Sequence, residues 1–323
     1  MFGNSPSDSN NNDPKWQEDI VNRLAFAALN EQRRSRRWNI FFKTLFLAYL
    51  FLVFFALYLP EEGGKGISVG RHTAVVELSG MIADNTEANA DNIVAGLRAA
   101  FKDENTAGVI LRINSPGGSP VQAGYVYDEI VRLREKYPDT KLYAVITDMA
   151  ASGGYYIAAA ADEIYADKAS VVGSIGVLMN SFGFTGAMEK LGIERRLYTA
   201  GEHKGMLDPF SKENPADVMH LKKMLKTIHQ QFIDAVKEGR GDRLADDPNI
   251  FSGLFWTGEE SVALGLVDGL GSSSYVAREI IKQEKMVDFT FRPDYWQRFA
   301  DRIGLAMARV LGNELGVNNA TLR

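Results

Sequence analysis

An α/β fold of repeated βαβ units, preceded by one transmembrane helix, follows from two patterns in the sequence. Beyond about residue 73, short apolar runs suited to buried strands alternate with segments of helical periodicity, the rhythm of a parallel sheet covered by helices. Ahead of them lies the run IFFKTLFLAYLFLVFFALYL, too apolar and too long for an ordinary surface helix.

The first residues, Met1 to Pro14, are mostly Asn, Ser and Asp and carry too little apolar surface to offset ordering, so a tail is expected there. Trp16 to Leu29 reads as a short amphipathic segment leading into Arg33, Arg34, Arg36 and Arg37. The span Asn39 to Leu59 would reach roughly 31 Å as a helix, enough to cross a hydrocarbon core of about 30 Å. Arginines precede it, and Glu61 and Glu62 follow. The positive-inside rule therefore puts the N-terminus in the cytoplasm and everything after Pro60 outside. The following LYLPEEGGKG offers no small-x-small cleavage pattern, so an anchor that is retained is expected, not a removed signal peptide. The Gly-rich stretch after Pro60 reads as a stalk.

Strands are then expected at TAVVELSG, GVILRIN and KLYAVIT, the last ending near Thr147. Helices are expected around Ala90 to Phe101, around Val121 to Tyr137, opening at Ser152, and over Pro215 to Glu238. Near the C-terminus Trp296, Phe299, Ile303, Met307 and Val310 recur at helical spacing, which predicts an amphipathic segment packed on the body, on a neighbouring subunit or on the membrane surface. The expected organisation is a cytoplasmic segment 1–38, a transmembrane helix 39–59, a stalk 60–72, one α/β domain 73–285 and the amphipathic segment 286–323.

Composition removes several classes of function. A net charge of −5 lacks the basic surplus that phosphate neutralisation demands, so nucleic acid is not an expected partner. There is no cysteine to serve as nucleophile, disulfide or thiolate ligand. The four histidines, His72, His203, His220 and His229, lack the close helical spacing of a zinc motif, so neither metal nor other cofactor is expected.

Two stretches carry chemistry. In RINSPGGSP, Gly117 and Gly118 allow a sharp turn between strand and helix and expose amides able to hold an oxyanion. In ITDMAASGGYYIAAAA, Ser152 stands where a strand gives way to a helix, a place that suits a nucleophile and equally an ordinary N-cap. A serine nucleophile needs a base within hydrogen-bond reach. The downstream LYTAGEHKGMLDPFS presents His203 and Lys204 side by side, and composition does not choose between them.

The ordered set NSPGGS, MAASGGYYIA, SVVGSIGV and AGEHKGMLDPFS resembles the signal peptide peptidase A family of serine peptidases in its short, unduplicated form, over roughly Thr73 to Leu270. The resemblance implies Ser152 as nucleophile and Lys204 as base, with His203 a neighbour. It implies oxyanion donors at Gly118 and Gly153, and Ser174 as the residue orienting the lysine. It also implies the fold shared by Clp proteases and crotonases, a homo-oligomeric dome-shaped ring, and a site opening toward the membrane, with the serine of one protomer joined to the lysine of the next. The expected substrates are signal peptides or other apolar peptides at the bilayer, and the expected location is a bacterial inner membrane with the catalytic domain in the periplasm. A lysine base must be neutral to accept a proton, so activity near neutral pH requires about 2–3 units of depression from the reference value. Two other readings compete: a related membrane-bound Ser-Lys protease acting on other membrane proteins, and a crotonase-like acyl-CoA enzyme, which would need carboxylates at the site.

Overall fold

The computed structural model describes residues 14–58 and 70–292; within the first range, the side chains of 14–22, 24–30 and 54–58 lie outside the description. Contacts divide the chain into two units, Met1–Gly64 and Lys65–Arg323.

The described residues of the first unit form one helix, α1 (Pro14–Tyr58), of 45 residues. Proline occupies its first position, where a missing N–H costs nothing, and neither proline nor glycine recurs to break it. Trp38 stacks on Phe42 with ring centroids 5.6 Å apart, and Phe41 meets both edge-on. Large apolar side chains from Trp38 to Leu52 are exposed along the helix. Among the described residues no helix is long and apolar enough to cross a membrane. The described side chains end at Val53, so the last part of the expected span 39–59 lies outside them, as does the stalk from 60 to 69.

The second unit alternates strand and helix as the sequence predicts: β1 (His72–Ser79), α2 (Ala90–Lys102), β2 (Thr106–Ser115), α3 (Pro120–Lys136), β3 (Leu142–Ala151) and α4 (Gly153–Ala158). There follow β4 (Glu163–Ala166), β5 (Val171–Gly173), α5 (Thr185–Leu191), α6 (Pro215–Arg240), β6 (Phe255–Thr257), α7 (Gly258–Ala263), β7 (Gly269–Leu270), α8 (Ser273–Tyr275) and β8 (Met286–Asp288). The sheet has eight strands in the order β6-β5-β3-β2-β1-β8, with β4 pairing β3 and β7 beside it. All of the pairings are parallel except β5 with β6. Strand β8 hydrogen-bonds along β1 past residue 285, so the sheet takes in the start of the segment set apart by its amphipathic pattern; residues 293–323 lie outside the description.

Local chemistry sets the helix starts. Asn89, Ser119 and Asn214 each accept a backbone N–H of the turn that follows, and Pro120 and Pro215 stand at first helical positions. One sheet face packs Val76, Leu78, Leu111, Ile113 and Ile146 against α2, α3 and α4, all close to fully buried. The other face is covered at one end, where Ile110, Tyr143, Val145 and Tyr165 meet Val276 and Ala277.

Strand β3 differs from its expected end at Thr147. It runs to Ala151 because it changes partner: Tyr143–Ile146 pair with β4, and Met149–Ala151 pair with β5. The small side chains of Ala150 and Ala151 let the strand continue into a crowded sheet end and deliver Ser152 there. Helix α6 is fixed to the sheet by Arg240, which is fully buried and donates to Gly265 O and to both Asp268 oxygens. Burial alone would raise the Asp268 pKa, but the Arg240 hydrogen bonds, the Ile164 N–H and nearby positive charge outweigh it and hold the carboxyl below its usual range.

Candidate active site

Ser152 joins β3 to α4 with φ 52° and ψ −123°, and its side chain caps nothing. Ser152 thus holds the N-cap position of α4 while its hydroxyl makes no capping hydrogen bond. Positive φ in a residue other than glycine is strained, and such strain persists where surroundings over-determine the backbone. Here they do: Ser152 N–H donates to Gly173 O at 2.9 Å, and its carbonyl accepts from Tyr156 N–H at 2.9 Å. Tyr155 clamps α4 from below by donating its hydroxyl to Leu266 O at 2.7 Å. Burial pushes the Tyr155 pKa far up, so this phenol stays neutral and does not compete as a base.

The glycine turn lies directly against Ser152. A Cβ on Gly117 would come 2.8 Å from Ser152 Cβ and 2.6 Å from Gly153 N, and one on Gly118 would come 2.0 Å from Ile82 O. With φ of 96° and 150°, both positions need glycine for conformation as well as for space. The turn is held by Ile82, whose N–H donates to Gly117 O at 2.9 Å and whose carbonyl accepts from Ser119 N–H at 2.8 Å. A Cβ on Gly153 would lie 3.3 Å from Gly118 N, so the two expected oxyanion donors are neighbours. Among the described residues neither amide donates to a protein acceptor.

Ser174 also has positive φ, 53°, and follows directly on the Gly173 carbonyl that holds Ser152. Its own N–H donates to Leu254 O at 2.7 Å. Ser152, Gly118, Gly153 and Ser174 thus form one cluster at the end of the sheet. Lys204 is not bonded into it. It sits in a turn closed by its own N–H to Gly201 O at 3.1 Å, with an exposed side chain that no hydrogen bond or ion pair links to Ser152 among the described residues. His203 instead pairs through Nδ1 with Asp217 Oδ1 at 2.5 Å, in the first turn of α6. Downstream, Asp208 accepts from Ser211 Oγ at 2.6 Å and pairs with Arg195, and its pKa lies below the usual range, chiefly through the Ser211 bond.

The segment that carries Lys204 leaves many large apolar side chains open. Leu178 is 82% exposed, Phe182 76% and Tyr198 89%. Its start is pinned by His229 Nε2, which lies 3.1 Å from Ile175 O. That Ile82 holds the glycine turn is not legible in SGMIADN, which carries no motif, because the contact exists only once β1 and β2 are side by side.

Comparison with known proteins agrees with this architecture. The model of peptidase family S49 matches residues 134–288, and that of Clp protease matches residues 72–171. A putative signal peptide peptidase SppA of Enterococcus faecium is 30% identical over 238 residues, covering 71% of this chain and 67% of that protein. This chain belongs to the signal peptide peptidase A group of peptidase family S49. A probable protease SohB of Haemophilus influenzae is 29% identical over 210 residues, 65% of this chain and 58% of that protein. A Brucella melitensis protein named Na(+)/H(+) antiporter NhaA is 51% identical over 175 residues. That alignment takes in 54% of this chain but only 24% of the Brucella protein, so this chain spans about a quarter of the length of that relative. The S49 match takes in β3, Ser152 and Lys204, and the Clp protease match takes in β1 to β4 and Ser152.

Proposed function

We propose that this chain is a membrane-anchored serine endopeptidase that uses a Ser152–Lys204 dyad on apolar peptides, cleaved signal peptides among them, in or beside a bacterial inner membrane. The observation that carries the proposal is the strained Ser152, its hydroxyl making no capping bond, beside two amides, of Gly118 and Gly153, that donate to no protein acceptor among the described residues. In the reaction, neutral Lys204 takes the hydroxyl proton as Ser152 Oγ attacks a peptide carbonyl. The two amides hold the developing oxyanion, and water later releases the acyl group. Removing one such amide donor typically slows catalysis about 10²–10³-fold.

The exposure of Lys204 favours a site completed between protomers. A second copy covering the apolar segment around Leu178, Phe182 and Tyr198 would desolvate a lysine and bring it to a neighbour's serine. Ser174 then orients that lysine. For the anchor, support comes from the arginine cluster ahead of an apolar run whose large side chains stand exposed along α1 as far as Leu52. A domain tethered beside the bilayer meets membrane-borne peptides at high effective concentration. A crotonase-like reaction finds no support, because no carboxylate bonds to Ser152, Gly118 or Gly153 among the described residues.

The test is mass spectrometry after treatment with a fluorophosphonate probe. A single adduct on Ser152, absent in Ser152→Ala, is expected; modification elsewhere with Ser152 untouched would refute the assignment.

A further inference from the structure

Behind the glycine turn lies a hydroxyl with no part in the reaction just described. Ser115 is the last residue of β2, its side chain is turned toward the helices, and it is fully buried. Its Oγ donates to Gly80 O at 2.7 Å and accepts from Gly117 N–H at 3.1 Å. One hydroxyl thus ties the end of β1 to the first glycine of the turn. The same residue also meets α4, since a Cβ on Gly154 would come 2.9 Å from Ser115 O. Ser115 therefore touches three of the pieces that converge at Ser152: the β1 end, the glycine turn and the start of α4.

Gly117 is buried, so its N–H has no access to water, and a buried donor without a partner is expensive. The Ser115 hydroxyl is what lets the chain keep Gly117 at φ 96° with that N–H turned inward. The orientation of Gly117 fixes the direction of the next amide, that of Gly118. We infer that Ser115 is a positioning residue: it aims the Gly118 N–H at the oxyanion without touching substrate. The inference rests on the oxyanion reading of Gly118 given above.

If the hydroxyl is removed, Gly117 N–H and Gly80 C=O both lose their partner, and the turn relaxes to recover one. The substrate-binding surface is unchanged, so the loss should appear in the transition state and not in substrate binding. The experiment uses full-length protein in detergent, with the concentration of competent serines titrated by a fluorophosphonate so that misfolded molecules are not counted. For Ser115→Ala, kcat per titrated site should fall by about tenfold or more, with KM within about twofold. Affinity for a peptide aldehyde, which forms a tetrahedral adduct, should fall by the same factor as kcat. Ser115→Cys puts a slightly larger group with a weak donor and acceptor at the same place, and its kcat should fall between those of wild type and Ser115→Ala; it supplies the same readout if the alanine variant does not assemble. Gly118→Ala serves as the control for the underlying reading. If Gly118→Ala is inactive while both Ser115 variants keep wild-type kcat per site, Ser115 is structural only and the inference is overturned. If Gly118→Ala itself retains full activity, the oxyanion reading fails first and the inference fails with it.

Discussion

Around Ser152 the backbone is held by the Gly173 carbonyl, by the Ile82-pinned glycine turn and by Tyr155 anchored on Leu266. The segment from about 176 to 214, which carries Lys204, is built otherwise. Its bonds are mostly within the segment, such as Lys204 N–H to Gly201 O, Phe184 N–H to Pro209 O and the Arg195–Asp208 pair, and many of its large apolar side chains face outward. On the proposed reading, the contrast means that nucleophile and oxyanion donors are assembled when the protomer folds, whereas the proposed base, Lys204, stands on a surface that a second copy would cover. A preformed half keeps its geometry without help; the other half acquires its chemistry from what buries it.

The largest effect should come from removing either reacting group. Ser152→Ala and Lys204→Ala are each expected to lower kcat by roughly 10⁴–10⁶-fold, and the double variant should be no worse, because the pair acts as a unit. Steady-state hydrolysis of an apolar peptide, with circular dichroism to confirm folding, checks this. If His203→Ala is dead while Lys204→Ala is active, the base has been misassigned.

Gly118→Ala comes next and bears on the preformed half. A Cβ there meets Ile82 O at 2.0 Å and adopts an unfavourable φ, so the turn must shift and kcat should fall by about 10²–10³-fold. Unaltered kinetics would mean that the turn is not part of the site.

Stability should divide along the same line. Arg240→Met leaves Asp268 without its buried partner and should cost about 3 kcal/mol in urea unfolding. Tyr198→Ser on the open segment should change protomer stability by less than about 0.5 kcal/mol, yet weaken association in sedimentation velocity. A Tyr198 variant that unfolds easily but still associates would invert the comparison.

The smallest effect is set by pH. Hydrogen bonds from Arg132, offset by burial and joined by those from Arg98, hold the Glu129 pKa at about 2, against an ordinary value of 4.5. Its contribution to stability is complete above about pH 4.5 and is lost as pH falls through about 2. Acid unfolding of Glu129→Gln should lack that part of the transition; an unchanged acid limb would show that the cluster with the half-exposed Arg98 and Arg132 contributes nothing.

Much of the preformed half was legible because its constraints are written as residue types. The alternation of strand and helix placed β1, β2, α2, α3 and α6 to within about two residues and the start of β3 but not its end, since caps such as Asn89, Ser119 and Asn214 mark helix starts. Gly117 and Gly118 announced their turn. The strain at Ser152 and Ser174 was hidden, because serine carries no signature of positive φ. The roles of Ile82 and Ser115 were equally hidden, being contacts between chain ends brought together by the sheet. Lys204 could be separated from His203 only by resemblance to a family. In the structure His203 has its own carboxylate, Asp217, whereas the surroundings of the Lys204 side chain would be supplied by another protomer.

The central claim, one half-site preformed and the other supplied by a neighbour, is tested most directly by mixing. Ser152→Ala and Lys204→Ala chains, purified separately, are co-assembled in detergent and assayed for peptide hydrolysis. A shared site pairs an intact serine with an intact lysine at some interfaces, so a measurable fraction of wild-type activity should return in the mixture and in neither variant alone. A mixed assembly, shown by cross-linking to contain both chains, that stays inactive would contradict the account.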